Sequence, residues 1–249
     1  MTIELKEISK SYQGKEVIQK LSLTFSEGQT HVLLGSSGSG KSTLLRIIMG
    51  LIFPDCGTVL IDQHSMSPRL QPFLAQQIGY VPQDGGLFPH LTAEKNVTLV
   101  ARTLKWSQSR IEERLRVLSE MVSIKAQLLS RYPSELSGGQ RQRVAMIRGA
   151  FLDPQVMLLD EPLAALDPIF RKDLQLELKK IFSQLKKTVI FVTHDIGEAA
   201  FLGHSVILLR DGKVVQRGKF SEFLRSPVDP FVTEFIGAQR TLQDMELYD

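Results

Sequence analysis

The sequence holds a single cysteine, Cys56, in 249 residues, so no internal disulfide can form and the chain suits a reducing compartment. It also lacks a long apolar run. The longest, Ile47 to Phe53, already contains Gly50 and falls well short of the roughly eighteen apolar residues of a membrane-spanning helix. Charge of one sign is missing too: 30 basic residues face 27 acidic ones, a net of +3, without the dense basic footprint of a nucleic-acid binder. The opening Met1-Thr2-Ile3-Glu4-Leu5-Lys6 carries an early acid and no basic-then-apolar leader. Without a leader, the sequon Asn96-Val97-Thr98 reads as chance, and the expectation is a soluble intracellular protein. Repeats, low-complexity tracts and long linkers are absent as well.

What is present is ordinary globular material, 43% hydrophobic and 23% charged, enough for one large domain or two small ones. Ile3, Leu5 and Ile8, then Leu21, Leu23 and Phe25, recur at strand spacing around a turn at Gln13-Gly14-Lys15. Further strands are expected at 31–34, 58–61, 78–81, 156–159, 189–192 and 206–209, the last turning at Asp211-Gly212 into a hairpin with 213–216. From about Leu91 to Ala150 the pattern is helical, with Ile111, Leu115, Leu118 and Val122 on one face and Ser107 or Ser109 as N-cap. A helix over 171–185 separates two strands, and such alternation implies a largely parallel sheet. The reading is an α/β core interrupted by a helical subdomain.

Gly35-Ser36-Ser37-Gly38-Ser39-Gly40-Lys41-Ser42-Thr43 fits G-x-x-x-x-G-K-[ST], a pattern expected by chance in about one chain of this length in a hundred. It lies between an apolar strand and a helix expected over 42–49, as a phosphate-binding loop must. Its glycines turn consecutive N–H groups inward, and these donors with the helix N-terminus can hold a polyphosphate. Lys41 supplies a point charge for the β- and γ-phosphates, and Ser42 a hydroxyl for Mg²⁺. The competing reading is a glycine turn that merely caps a helix. A second element, Val156-Met157-Leu158-Leu159-Asp160-Glu161, is an apolar strand ending in carboxylates. Asp160 would hold Mg²⁺, mostly through water, and Glu161 can serve as general base on the attacking water. Alone, such a strand is common; its weight comes from the loop.

With Leu136-Ser137-Gly138-Gly139-Gln140 added, the chain resembles the ATP-binding subunits of ABC transporters over nearly all its length. The resemblance implies a P-loop NTPase (RecA-like) core with an N-terminal antiparallel β-subdomain and an inserted α-helical subdomain. Its segments would be 1–88 and 153–217 as the nucleotide-binding core, 89–152 as the helical signature subdomain and 218–249 as a helical tail. Ser137, Gly138, Gly139 and Gln140 would open a helix facing the γ-phosphate bound by another copy; Ser137 is an N-cap type, and the glycines admit an anion. Tyr12 resembles the aromatic that stacks on adenine, and Gln83 the glutamine that contacts Mg²⁺ and attacking water. Asp167 resembles an aspartate that crosses the dimer interface, and His194 a histidine that grips the γ-phosphate. Structural roles for Tyr12 and for the His194-Asp195 pair, or a metal pair with Glu198, are the plainer alternatives.

The implied function is an ATP-hydrolysing motor with ATP and Mg²⁺ as ligands. ATP would close a dimer of two ATPase subunits, taken as a homodimer, and hydrolysis would reopen it. Its other partners would be transmembrane permease subunits and, indirectly, a solute-binding protein, with no nucleic acid. The expected place is the cytoplasmic face of the bacterial inner membrane. Gly86-Leu87-Phe88-Pro89-His90-Leu91-Thr92, Leu104-Lys105-Trp106, Arg131-Tyr132-Pro133 and Leu166-Asp167-Pro168-Ile169 look like osmoprotectant importers for glycine betaine, choline, carnitine or proline-like amines. Asp84-Gly85-Gly86 departs from the usual residues after Gln83 and is expected to loosen that loop. Osmotic gating through C-terminal regulatory domains is not expected, and residues 231–236 should pack as a helix on the body. The alternatives are another ABC system, such as a different small-solute importer, an exporter or a lipoprotein-release ATPase. More distantly, the chain would be a DNA-repair ATPase, for which it lacks coiled-coil heptads and a cysteine cluster.

Overall fold

A computed structural model describes residues 1–67, 71–164 and 168–245. The strands in chain order are β1 (Ile3–Tyr12), β2 (Lys15–Phe25), β3 (Thr30–Leu34), β4 (Cys56–Ile61), β5 (His64–Ser65), β6 (Ile78–Val81), β7 (Val156–Asp160), β8 (Thr188–Thr193), β9 (Ser205–Arg210) and β10 (Lys213–Gly218). The helices are α1 (Lys41–Ile48), α2 (Gln71–Gln77), α3 (Ala93–Thr103), α4 (Gln108–Met121), α5 (Gly138–Ala150), α6 (Pro168–Leu185), α7 (Ile196–Leu202), α8 (Phe220–Arg225) and α9 (Pro230–Met245). Contacts divide the chain into two units, 1–68 with 190–249, and 69–189.

In the first unit, β1 and β2 form the expected hairpin, with Tyr12 opposite Lys15 and positive φ at both turn residues, 51° at Gln13 and 79° at Gly14. That is the backbone a two-residue hairpin turn demands. β4 pairs antiparallel on the other side of β1, giving the order β2-β1-β4-β5. The alternation works as expected: Ile3, Leu5, Ile8, Leu21, Leu23 and Phe25 are all buried. β3, buried at every residue, pairs in parallel with β9, and β9 turns at Asp211-Gly212 into antiparallel β10. Val232 and Ile236 bury one face of α9.

In the second unit, β6 and β7 are parallel neighbours, Val81 opposite Leu159. Helix α4 starts at Ser107, whose hydroxyl accepts the Arg110 N–H at 3.4 Å, and buries Ile111, Leu115 and Leu118, each contributing about 1.5–3 kcal/mol. Ser107, not Ser109, is therefore the cap. From the same helix Arg114 donates to Ala150 O (2.8 Å), Phe151 O (3.1 Å) and Asp153 (3.2 Å), capping the C-terminus of α5 with a cation. Trp106 stacks on Phe151 with the Arg110 guanidinium 3.5 Å from its ring centre. Asn96 is 1% exposed and its amide is engaged within the fold, which agrees with reading its sequon as chance.

Candidate functional site

In the first unit, strand β3 delivers the chain at Leu34 into the loop 35–40, and α1 begins at Lys41. Gly40 stands as N-cap at φ 103°, where a Cβ would come within 2.7 Å of Ile18 Cδ1 and 2.8 Å of Val17 O; only glycine fits. Ser39 N–H turns back to Ser36 O at 3.2 Å, and Ser39 O accepts the Gly212 N–H at 3.2 Å, so the β9–β10 turn braces the loop from behind. Ser36, Ser37 and Gly38 face solvent.

Lys41 is only 4% exposed, and its ammonium donates to Gly35 O (2.8 Å) and Ser36 O (2.9 Å). The first turn of α1 carries no acidic residue and no side-chain cap. Ser39 Oγ is buried without a hydrogen-bond partner. A buried cation, an uncapped helix start and an orphaned hydroxyl gathered in one loop fit an anion, and the run of backbone donors fits a polyphosphate. Ser42 and Thr43, half-buried, follow in the first turn of α1.

Tyr12 lies 43% exposed at the tip of the β1–β2 hairpin, whose Val17 and Ile18 border Gly40. Asp55 fixes the strand before it, accepting from Lys10 Nζ (2.6 Å) and Ser11 N–H (2.7 Å), and these hydrogen bonds, the lysine's first, hold its carboxyl below the usual range. Lys10 Nζ stands 5.7 Å from the Tyr12 ring centre. His194 follows β8 directly and is exposed. Its neighbours form a closed knot: Thr193 Oγ1 donates to buried Glu198 at 2.5 Å, Asp195 N–H donates to Thr193 Oγ1, and Glu198 N–H to Asp195 Oδ1. The knot uses Asp195 as the N-cap of α7 and Glu198 as a hydroxyl acceptor, so a metal pair of His194 with Glu198 is not the arrangement found.

In the second unit, the parallel register of β6 and β7 sends Gln83 and Glu161 out past the same strand ends. Gln83 is exposed. Asp160, 8% exposed, ends β7, with the Tyr80 hydroxyl 3.5 Å from its carboxylate. Glu161, just past the strand, adopts φ 44°, a left-handed value uncommon for a residue with a side chain. Among the described residues no cluster of three or more His, Cys, Asp or Glu could cage a metal. Taken singly, the Ser42 hydroxyl in the first unit and the Gln83 amide and Asp160 carboxylate in the second each offer the oxygen that a hard ion such as Mg²⁺ takes.

Ser137 caps α5: its hydroxyl accepts the Gln140 N–H at 3.3 Å, while Gln140 Oε1 accepts the Ser137 N–H at 3.0 Å. Ser137 and Gly138 are exposed, Gly139 and Gln140 half-buried. Beside them opens a cavity of about 430 Å³ whose lining includes Lys125, Arg131 and Arg143, cations the sequence reading passed over. A second groove of about 350 Å³ is lined in part by Tyr80, Gly86, Phe88, Val97 and Val100. Phe88 (44% exposed) and Val100 (47%) leave its rim apolar. Asp167 lies outside the described residues.

The Asp84-Gly85-Gly86 loop is not loosened. Gly85 N–H donates to Pro82 O (2.9 Å), Gly86 N–H to Asp84 Oδ1 (3.0 Å), and Arg148 donates to both following carbonyls, Gly86 O at 2.7 Å and Gly85 O at 2.8 Å. The acid and the extra glycine supply the turn that makes these bonds. Asn96 then holds the next stretch, accepting from Phe88 N–H and donating to Phe88, Leu91 and Thr92 carbonyls. Both were missed in sequence, although the spacing of Arg141, Ala145 and Arg148 on one helix face was a usable signal.

A family model described as ABC transporter matches residues 18–164. The glycine betaine/carnitine/choline transport ATP-binding protein OpuCA of Bacillus subtilis is 42% identical over 242 residues, 97% of this chain and 64% of that protein. The spermidine/putrescine import ATP-binding protein PotA of Aliivibrio fischeri is 43% identical over 235 residues, 94% of this chain and 62% of that protein. The chain thus spans less than two thirds of the length of these relatives. A dimeric ATP-binding cassette in a post-hydrolysis state, bound to ADP and Pi, superimposes with a TM-score of 0.79 at 34% identity, covering 88% of this chain and 98% of that one. The P-loop α/β fold expected from the motifs is the fold of these cassettes.

Proposed function

Because this chain belongs to the ABC transporter family, we propose that it is the ATP-binding and ATP-hydrolysing subunit of a bacterial importer, working at the cytoplasmic face of the membrane. The observation that carries the reading is the loop 35–43, a buried lysine and an uncapped helix start held open by a glycine no other residue can replace. Lys41 and the loop amides of 36–43 bind the β- and γ-phosphates of ATP, and Tyr12 offers its exposed ring to the base. Ser42, Gln83 and Asp160 are the residues that would hold Mg²⁺, which when bound neutralises charge on the phosphate oxygens. Glu161 takes the proton of the attacking water, and His194 donates to the γ-phosphate.

Ser137, Gly138, Gly139 and Gln140 of a second copy, with the cation-lined cavity beside them, would contact that phosphate in trans, so that each ATP joins two copies. Asp167 is assigned to the same interface. Within the chain, 1–88 and 153–217 serve as the nucleotide-binding core, 89–152 as the signature subdomain and 218–249 as the tail. The apolar groove lined by Phe88 and Val100 receives the permease, and a solute-binding protein acts through that permease.

The solute we propose is a quaternary-amine osmoprotectant, from the resemblance of 86–92 and 104–106 to those importers. A polyamine is the second reading, favoured by the equal identity to the spermidine/putrescine relative. Uptake of labelled glycine betaine against labelled spermidine, in vesicles carrying the partner permease, separates the two. For the chemistry, Glu161→Gln is expected to keep ATP affinity and lower phosphate release by about 10²-fold or more. Release at the wild-type rate would remove Glu161 as the base.

A further inference from the structure

Helix α5 carries the signature at its N-terminus and Arg148 near its other end, two turns or more away. One face of that helix forms a seat for the Gln83 loop. A Cβ built on Gly85 would lie 3.4 Å from Ala145 Cβ, 3.6 Å from Gln142 Oε1 and 3.7 Å from Arg141 O. Positions 141, 145 and 148 share that face. Gly85 and Gly86 both hold positive φ, 74° and 55°, and at Gly86 a Cβ would meet Pro82 Cγ at 2.8 Å. This left-handed pair turns two successive carbonyls to one side, where the planar Arg148 fork meets them at 2.7 and 2.8 Å. Burial draws the guanidinium below its ordinary pKa, and Asp84 opposes that shift from across the turn.

We infer that Arg148 is a positioning residue that pins the loop after Gln83 to the signature helix, so that Gln83 and Ser137 are carried by one braced piece of backbone. Arg148 touches neither nucleotide nor metal; it acts through Gln83. The inference rests on the ATPase reading for its effect on turnover, while its structural half stands alone. A partner pressing on Phe88 in the groove then moves α5 through two charge-assisted bonds rather than through a slack loop.

The test compares full-length wild type, Arg148→Lys and Arg148→Ala by amide hydrogen exchange and by steady-state ATPase kinetics. Exchange at Gly85 and Gly86 should rise about tenfold or more in Arg148→Ala, with Lys41 and Ser42 amides unchanged. The kcat should fall about tenfold while KM for ATP stays within about twofold, and Arg148→Lys should recover part of both losses through a single carbonyl bond. If Arg148→Ala fails to fold, Arg148→Lys and Asp84→Ala, which removes the acceptor of Gly86 N–H, carry the same measurements. Unchanged exchange at Gly85 and Gly86 overturns the inference, as does a rise in KM at constant kcat. A wild-type chain without ATPase activity would sink the proposed function, and the exchange result would still decide whether Arg148 pins the loop.

Discussion

Lys41 sits where a lysine is costly, buried among backbone carbonyls, and that placement makes sense only if the loop exists to receive negative charge. Lys41→Ala should therefore lose most ATP affinity while thermal stability changes little or improves, since a buried cation is removed; nucleotide titration beside a thermal melt checks both. A Lys41→Ala protein binding ATP as wild type would contradict the phosphate role. His31 shows the reverse case, a buried side chain outside the chemistry. Its Nε2 lies 3.1 Å from Ser26 O, which fixes Nε2 as the protonated nitrogen and leaves Nδ1 buried without a partner. Burial, with Arg217 and His204 nearby, lowers its pKa below 6.5 despite the Ser26 acceptor. The unfolded chain therefore binds this proton first, so the contribution of His31 to stability is complete above pH 6.5 and declines as pH falls below it. Melting temperatures measured down the acid side should drop less steeply in His31→Gln than in wild type. Parallel slopes would place the acid sensitivity elsewhere.

Short elements set the site's edges, and they divide into those the sequence announces and those it does not. Strand alternation in β1 and β2, the serine cap of α4 and the Asp-Gly turn before β10 are local signals, each readable within a few residues. Helices α2, α7 and α8 span seven residues or fewer and show too little periodicity to be read. The loop 84–92 is harder still, because its conformation is decided by Arg148, 62 residues away, and by the single side chain of Asn96. An acid and two glycines look slack in a sequence; here they form the turn the guanidinium needs. Asn96 makes its own prediction. Asn96→Ala would take the partner from the Phe88 N–H and the Leu91 carbonyl, while Phe88 O and Thr92 O keep the Leu91 and Asn96 backbone N–H groups, and should cost about 1–3 kcal/mol in urea unfolding. Asn96→Asp should cost at least as much, since a carboxylate would face the carbonyls of Phe88, Leu91 and Thr92. Neither effect is expected at an exposed neighbour such as Lys95.

At the scale of the whole chain, the nucleotide loop and His194 belong to one unit, and Gln83, the signature, Asp160 and Glu161 to the other. The motif order was legible because each motif is contiguous: glycines, lysine and hydroxyl in one loop, carboxylates at one strand tip, a capping box at one helix start. What no contiguous stretch encodes is the role proposed for Ser137, service to the nucleotide of a different copy. That claim is central to the account, and inter-subunit crosslinking tests it most directly. In a Cys56→Ser background, one chain carrying Ser37→Cys is mixed with another carrying Ser137→Cys, alone and with permease, and oxidised with and without ATP. A covalent dimer of the two different chains should form with ATP and not without nucleotide. No such dimer under any condition, or equal yield with and without ATP, would contradict it.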